Sequence, residues 1–158
     1  MISKVRFGLL LGFAAFFLGG MPARALTAQQ ILNLVNQDRQ SHGLSQLSLN
    51  STLNLAALAK ADDMVARGYF AHTSPTGTQP WHWFKALGYN YAYAGENLAE
   101  GYSDASDLEN SWMASPSHRA NILSPFYSDV GLAIVNRDET SIVVEFFGSK
   151  DNKVTLRQ

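Results

Sequence analysis

Apolar residues recur at helical spacing through the first half of the chain, and their flanking residues indicate where each helix begins and ends. Thr27 and Gln30 match the T-x-x-Q pattern of a capping box, which satisfies the free backbone donors of a helix start. Ile31 and Val35 follow on one helical face, and Gly43 is a typical stop residue. The pattern therefore predicts a first helix that begins after Thr27 and ends near Gly43.

A second helix is predicted by the same kind of signal. Asn50 or Ser51 supplies the N-cap, and the apolar spacing continues to about Arg67. Gly68 then provides the left-handed residue that commonly ends a helix. The many alanines of this segment would let a neighbouring element approach closely.

Residues 78–87 are predicted to form a third helix, with Pro80 in its first turn and Gly88 after its end. The aromatic stretch that follows, 89–93, is predicted to be short and extended. We interpret its tyrosines as packing residues, while an extended apolar groove for a lipid is the alternative.

Two further helix starts lie close together. Asp104 or Ser106 begins a fourth helix on which Trp112 is expected to be a core residue. Ser115 and the proline after it form a fifth start, which places His118 at the third helical position. An imidazole there lies near the positive end of the helix dipole, so its neutral form is favoured.

Beyond Pro125 the hydrophobic period changes from helical to two. Residues 130–135 and 142–147 are predicted strands, joined as a hairpin through 136–140. Helices first and a hairpin last define an α+β chain.

The first 25 residues are not expected to belong to the folded domain. Lys4 and Arg6 precede an uncharged, mostly apolar run of 15 residues that ends at Met21, and residues 23–25 read ARA. This run is short for a helix that crosses a bilayer. We predict a secretory signal peptide cleaved before Leu26; the alternative is an uncleaved membrane anchor.

Charge and cysteine content argue against several classes of partner and of membrane anchor. Without residues 1–25, nine basic residues remain against 13 acidic ones, with no basic run, which argues against nucleic acid or an anionic membrane as partner. There is no cysteine, so neither disulfides nor a lipoprotein anchor is available. We expect a disulfide-free monomer without a stable membrane anchor after cleavage.

Three segments each contribute one side chain able to bind a metal or move a proton. These are His72, Glu96 and His118, which lie 24 and 22 residues apart and so come from different structural elements. Convergence of such groups is how a site is built on a fold. Of the other histidines, His82 is interpreted as a rim or packing residue and His42 as a helix C-terminal residue.

The order of these segments resembles the CAP superfamily of SCP-like extracellular proteins in its bacterial form. Residues 70–75 read FAHTSP, residues 95–98 read GENL, and residues 111–123 read SWMASPSHRANIL. The resemblance implies a three-layer α-β-α sandwich with a cleft at one end. We assign 26–149 to this CAP domain and 150–158 to a polar C-terminal tail.

The resemblance also implies the cleft residues. His72 and His118 take the positions of the two cavity histidines of the family, and Glu96 takes the glutamate of its GEN motif. The family's second glutamate position is Ser115 here, so the tetrad is incomplete. Glu109, one helical turn before Trp112, is a candidate replacement.

Two histidines and a carboxylate are suitable zinc ligands with an open position, whereas calcium wants more oxygen ligands. A metal-free cleft, with Glu96 holding one imidazole in a chosen tautomer, is equally compatible. The sequence contains neither an H-E-x-x-H nor a G-x-S-x-G motif, so these two signatures of hydrolases are absent.

The leading hypothesis is a secreted module, extracellular or periplasmic, whose cleft binds a divalent metal or a small ligand such as a lipid. One alternative is a metal-dependent extracytoplasmic hydrolase that acts on peptides or cell-wall material. The other is a structural or interaction protein with a vestigial cleft, whose partner is an extracellular or envelope component.

Overall fold

The computed structural model describes residues 26–151, so the predicted signal peptide and most of the C-terminal tail lie outside the described residues. Five helices and four strands are arranged along this part of the chain. The helices are α1 (Ala28–Ser41), α2 (Ser51–Arg67), α3 (Trp81–Ala86), α4 (Ala105–Ala114) and α5 (Pro116–Ile122). The strands are β1 (Ser48–Leu49), β2 (Tyr91–Glu100), β3 (Asp129–Arg137) and β4 (Thr140–Lys150).

The strands form one sheet in the order β1-β3-β4-β2, in which only the short β1–β3 pair is parallel. Alternate residues of β4 face opposite sides of this sheet. Val143 and Phe147 join a core with α1, α4 and α5, whereas Val144 and Phe146 join a second core with α2 and α3. The result is the expected α+β, three-layer α-β-α sandwich.

The helix caps follow the sequence prediction. Thr27 and Gln30 make both hydrogen bonds of the capping box of α1. Asn50 accepts from the first backbone amides of α2, and Gly68 ends that helix with a left-handed φ of 67°. Trp112 is buried in the core on α4, as predicted.

The approach of α2 to the sheet depends on a glycine. A Cβ on Gly131 of β3 would lie 2.2 Å from the carbonyl carbon of Leu53 and 2.3 Å from its oxygen. Because these are backbone atoms, they cannot move aside without displacing the helix. The alanines of α2 and this glycine together allow the close contact.

The third helix is shorter than predicted. It begins at Trp81 rather than residue 78, with Pro80 at its N-cap. Residues before it are held in a turn, because the Ser74 amide donates to the Thr78 carbonyl and the Thr78 amide donates to Ser74 Oγ. These hydrogen bonds prevent the helix from starting earlier.

The strands are longer than predicted. The hairpin turn between β3 and β4 is confined to two residues, in which Asp138 takes a left-handed φ of 55°. The polar residues on either side of the turn continue the ladder, down to the Arg137–Thr140 pair. At the other end, Lys150, placed in the tail by the sequence, is the last residue of β4.

Two polar residues of α1 hold neighbouring segments of the chain. Asn36 and Arg39 are both buried. Asn36 exchanges two hydrogen bonds with the backbone of Leu47. Arg39 Nη1 donates to the carbonyls of Ile122 and Ser124 at 2.7 and 2.8 Å, which holds the end of α5.

Strand β2 lies at the edge of the sheet, and side chains hydrogen-bond to three of its carbonyls. Tyr127 donates to Ala94 O, Asn121 to Glu96 O and Trp112 to Leu98 O, at 3.2, 3.0 and 3.3 Å. These three carbonyls belong to alternate residues of β2. In an edge strand, every second residue directs its backbone polar groups away from the neighbouring strand.

None of the helices between residues 26 and 151 is long and apolar enough to span a membrane.

Candidate functional site

The segment that carries His72 leaves the end of α2 and is held in place by one buried lysine. Lys60 of α2 is fully buried, and its Nζ donates to the carbonyls of Ala71 and His72 at 2.9 and 2.8 Å. Burial lowers the pKa of Lys60, and the nearby carboxylates of Glu96 and Asp63 oppose this shift. The ammonium therefore fixes the backbone from which the His72 side chain projects.

His72 and Glu96 form a hydrogen-bonded pair across two elements. Nδ1 of His72 is bonded to Oε1 of Glu96, which lies in the middle of β2. The His72 side chain is 59% exposed, whereas that of Glu96 is 2% exposed. The buried carboxylate thus engages one ring nitrogen of His72, and Nε2 is left available to a ligand.

The pKa values of this pair reflect their surroundings. The hydrogen bond to Glu96 raises the pKa of His72, and burial of the ring opposes it. Burial raises the pKa of Glu96, while the hydrogen bond from His72 and the charge of Lys60 act in the opposite direction. The His72–Glu96 pair therefore holds a proton more strongly than an isolated imidazole does.

His118 lies in the first turn of α5, at the position that the sequence predicts, and its side chain is half-buried. Its ring is 6.3 Å from that of Trp112, centroid to centroid. Burial lowers the pKa of His118, and the charge of His72 lowers it further. The two histidines thus lie within electrostatic reach of each other, and His118 favours its neutral form.

Two side-chain amides connect the strand to α5. Asn97 Nδ2 donates to Glu145 Oε2 at 3.1 Å and to the His118 carbonyl at 3.4 Å. Asn121 Nδ2 donates to Asn97 Oδ1 at 2.9 Å and to the Glu96 carbonyl at 3.0 Å. Asn97 therefore satisfies buried groups, and the network holds the backbone on both sides of the site.

A cavity of about 350 Å³ opens beside the His72–Glu96 pair. Part of its wall comes from α3 and the turn before it, and part from β2 and α5. The lining residues are His72, Gln79, Pro80, Trp81, Ala94, Gly95, Glu96 and Asn121. His72 and Glu96 are thus brought together as predicted, while His118 lies near His72 but outside this lining.

Glu109 and Ser115, the two other residues considered for the cleft, do not line the cavity. Glu109 is buried on α4, where burial, Glu145 and Asp38 raise its pKa to about 9. Ser115 caps α5, and its Oγ is 3.3 Å from that of Ser117 rather than bonded to a histidine.

Within residues 26–151, no group of three or more histidine, aspartate or glutamate side chains is arranged to hold a metal ion. Glu96 uses one oxygen for His72, and this arrangement resembles the carboxylate–histidine pairs that orient metal-bound imidazoles. The carboxylate is thus placed to orient His72.

Sequence reasoning missed several residues of the site. Gln79 and Trp81 lie on α3 or just before it, and nothing in their spacing relates them to His72. Lys60 was not identified from the sequence, because a lysine that interrupts an apolar helix face is expected to be exposed to solvent. Asn121 belongs to the same segment as His118, so its proximity to that histidine could have been anticipated.

Among the interpretations of the remaining side chains, two are confirmed by the geometry. His42 ends α1, with Nδ1 2.7 Å from the carbonyl of Asp38. Tyr89 is buried, and its hydroxyl donates to Asp129. Tyr93 differs, because half of its surface is exposed.

Comparison with known proteins gives consistent matches. The family described as "CAP: Cysteine-rich secretory protein family" matches residues 32–147. The uncharacterized protein YkwD of Bacillus subtilis is 38% identical over 107 residues, which are 68% of this chain but only 42% of that protein. The chain therefore spans less than half the length of this curated relative.

Solved structures show the same fold. An extracellular protein containing an SCP domain from Bacillus anthracis is 28% identical, with a TM-score of 0.71 over 77% of this chain and 40% of that one. An outer surface protein from Borrelia burgdorferi is 21% identical, with a TM-score of 0.70 over 80% of this chain and 98% of that one.

Proposed function

The chain belongs to the CAP family, and from that premise we propose that it is a binding module that works outside the cytoplasm. Its cleft holds a small ligand or a zinc ion through His72 and His118, and Glu96 orients His72. The observation that carries the proposal is the His72–Glu96 hydrogen bond between two separate elements. The basic and apolar N-terminal segment, which ends in ARA, supports export of the mature domain from Leu26.

A zinc ion in this cleft would be held by the two imidazoles. Glu96 engages Nδ1 of His72, which leaves Nε2 as the ligand atom, and the lowered pKa of His118 keeps that ring in the neutral form that binds metal. A zinc ion would act as a Lewis acid with further coordination positions for water or ligand. The chain's own contribution is the orientation of both rings.

The polar side chains in the cavity beside the pair favour a ligand with hydrogen-bonding groups over an acyl chain. A buried carboxylate, an imidazole and two amides line the cavity, and apolar groups cannot satisfy them. The absence of a serine–histidine contact at Ser115 gives no support to serine hydrolysis. Binding is thus the function that the geometry supports best.

Calorimetric titration of zinc tests the proposal. We expect wild type to bind zinc at pH 7.5 and more weakly at pH 5.5, because the histidine ligands must be deprotonated. His72→Ala and His118→Ala should each remove most of the binding. Glu96→Gln should weaken it by roughly 10- to 100-fold, as loss of an orienting partner does.

His82→Ala is the matched control, since His82 is exposed on α3 and its ring packs against Trp83. It should bind zinc as wild type does. Equal affinity in all variants, or no dependence on pH, would contradict the two-histidine site.

A further inference from the structure

The cavity beside His72 combines an aromatic wall with planar polar side chains. The Trp81 ring is held by Phe84 and Tyr91, at centroid distances of 5.8 and 6.3 Å. Gln79 and Asn121 contribute amides to the same lining. An aromatic face binds the apolar C–H face of a ring, and planar amides and carboxylates bind adjacent hydroxyls.

Polar atoms of this lining have no hydrogen-bond partner within the described residues. Oε2 of Glu96 is buried and unpartnered, whereas Oε1 of the same carboxylate is bonded to His72. Asn121 donates both of its hydrogen bonds through Nδ2, which leaves Oδ1 free to accept. Gln79 accepts from Thr73 through Oε1 and has its Nε2 free to donate. A ligand that both donates and accepts would satisfy all three.

An exposed aromatic pair lies next along β2. Tyr93 directly precedes Ala94 of the lining, and its ring stacks on Phe126 with centroids 4.7 Å apart and planes 18° apart. The two residues are 50% and 57% exposed. Buried aromatic residues account for the core, so this pair presents ring surface to solvent that the fold does not use.

We propose that the cavity binds one sugar ring of a polysaccharide and that the Tyr93–Phe126 pair contacts the neighbouring sugar. A cavity of about 350 Å³ is at the small end of ligand sites, which span roughly 300–1,000 Å³, so it suits a single ring. Hydroxyl and acetamido groups both donate and accept, as the unpartnered atoms of Glu96, Asn121 and Gln79 require. The ligand is thus a glycan of hexose or N-acetylhexosamine units.

This ligand class rests on the proposed function in using the same cleft, but it requires no zinc. Trp81 and Gln79 approach the ligand from the α3 side, whereas His118 lies outside the cavity lining. Removal of zinc by a chelator should therefore leave glycan binding unchanged.

Titration of oligosaccharides in the presence of a chelator tests the proposal. Tetramers of glucose and of N-acetylglucosamine are titrated into the purified protein and followed by calorimetry and tryptophan fluorescence. We expect one of them to bind and to change the fluorescence, because Trp81 lines the cavity. The tetramer that binds identifies the sugar class.

Two exposed substitutions localise the site. Gln79→Ala and Tyr93→Ala should each weaken binding about tenfold while the fold is retained, since both side chains are exposed. Leu55→Ala is the matched control: Leu55 is 56% exposed on α2 and is not among the lining residues. It should bind as wild type does.

The outcomes separate the two proposals. Failure of both tetramers to bind, or equal loss in Leu55→Ala, overturns the glycan site whatever the zinc result. Glycan binding without any zinc uptake supports the glycan site and contradicts the zinc site alone.

Discussion

The two histidines of the cleft differ in exposure, support and protonation. His72 is largely exposed on a loop, paired with a buried carboxylate that raises its pKa. His118 is half-buried at a helix start, and burial and the charge of His72 lower its pKa. Two side chains of the same type thus have pKa values shifted in opposite directions within one cleft. Their surroundings, rather than their residue type, determine the role of each.

Their structural supports differ as well. One charged group, the ammonium of Lys60, holds the backbone of His72. The backbone of His118 is held by neutral amides, through Asn97 and its partner Asn121. We therefore expect the His72 side to depend on a single charge and the His118 side to depend on packing and a shared network.

The largest effect is expected on the His118 side. Trp112→Ala should lower the free energy of unfolding by roughly 3–5 kcal/mol, because it leaves a cavity under α4 and removes the hydrogen bond to the Leu98 carbonyl. Denaturant titration measures this loss. A loss below about 1 kcal/mol would mean that Trp112 is not a central core residue.

A smaller effect is expected on the His72 side. Lys60→Met keeps most of the buried volume but removes the ammonium that donates to two carbonyls, so the free energy of unfolding should fall by about 2 kcal/mol. Denaturant titration again measures the change. Zinc and ligand affinity should fall with it, because the His72 loop is released.

The control for this change is Lys85→Met, a lysine exposed on α3. It should change the free energy of unfolding by less than about 0.5 kcal/mol. If Lys60→Met were equally neutral, the loop would be held by contacts other than the ammonium.

The smallest effect on stability tests the difference in protonation. Glu96→Gln removes the negative partner, so the pKa of His72 should move down toward its ordinary value, as measured by NMR of the ring protons. A raised pKa stabilises the fold at pH values below the ordinary histidine pKa, and this contribution is lost as pH rises through the raised value. In Glu96→Gln that pH dependence should disappear.

An unchanged pKa of His72 in Glu96→Gln would show that the carboxylate does not control the imidazole, and the contrast between the two histidines would then need another cause.

Local signals predicted much of the fold. Caps and stops act over a few residues, so Thr27, Asn50 and Gly68 identified the helix ends correctly. Most of strand β2 was not predicted, because buried and exposed residues do not alternate along it. Glu96 and Asn97 are both buried, one toward each side of the sheet. A strand buried on both faces has no period of two to detect.

The candidate site was predicted only in outline. The three segments and their chemistry could be identified, and the structure pairs Glu96 with His72 as the metal-free alternative anticipated for one imidazole. The roles of Arg39 and Lys60 could not be predicted. Each is buried by donating to carbonyls whose proximity only the tertiary fold creates, in the case of Arg39 more than 80 residues away.

The covered carbonyls of β2 have a consequence for self-association. An uncovered sheet edge is a template on which a second chain can add a strand and begin aggregation. Tyr127, Asn121 and Trp112 already occupy the acceptors that such a chain would use along Ala94 to Leu98. The segments that build the cleft therefore also oppose edge-to-edge pairing of two copies of the chain.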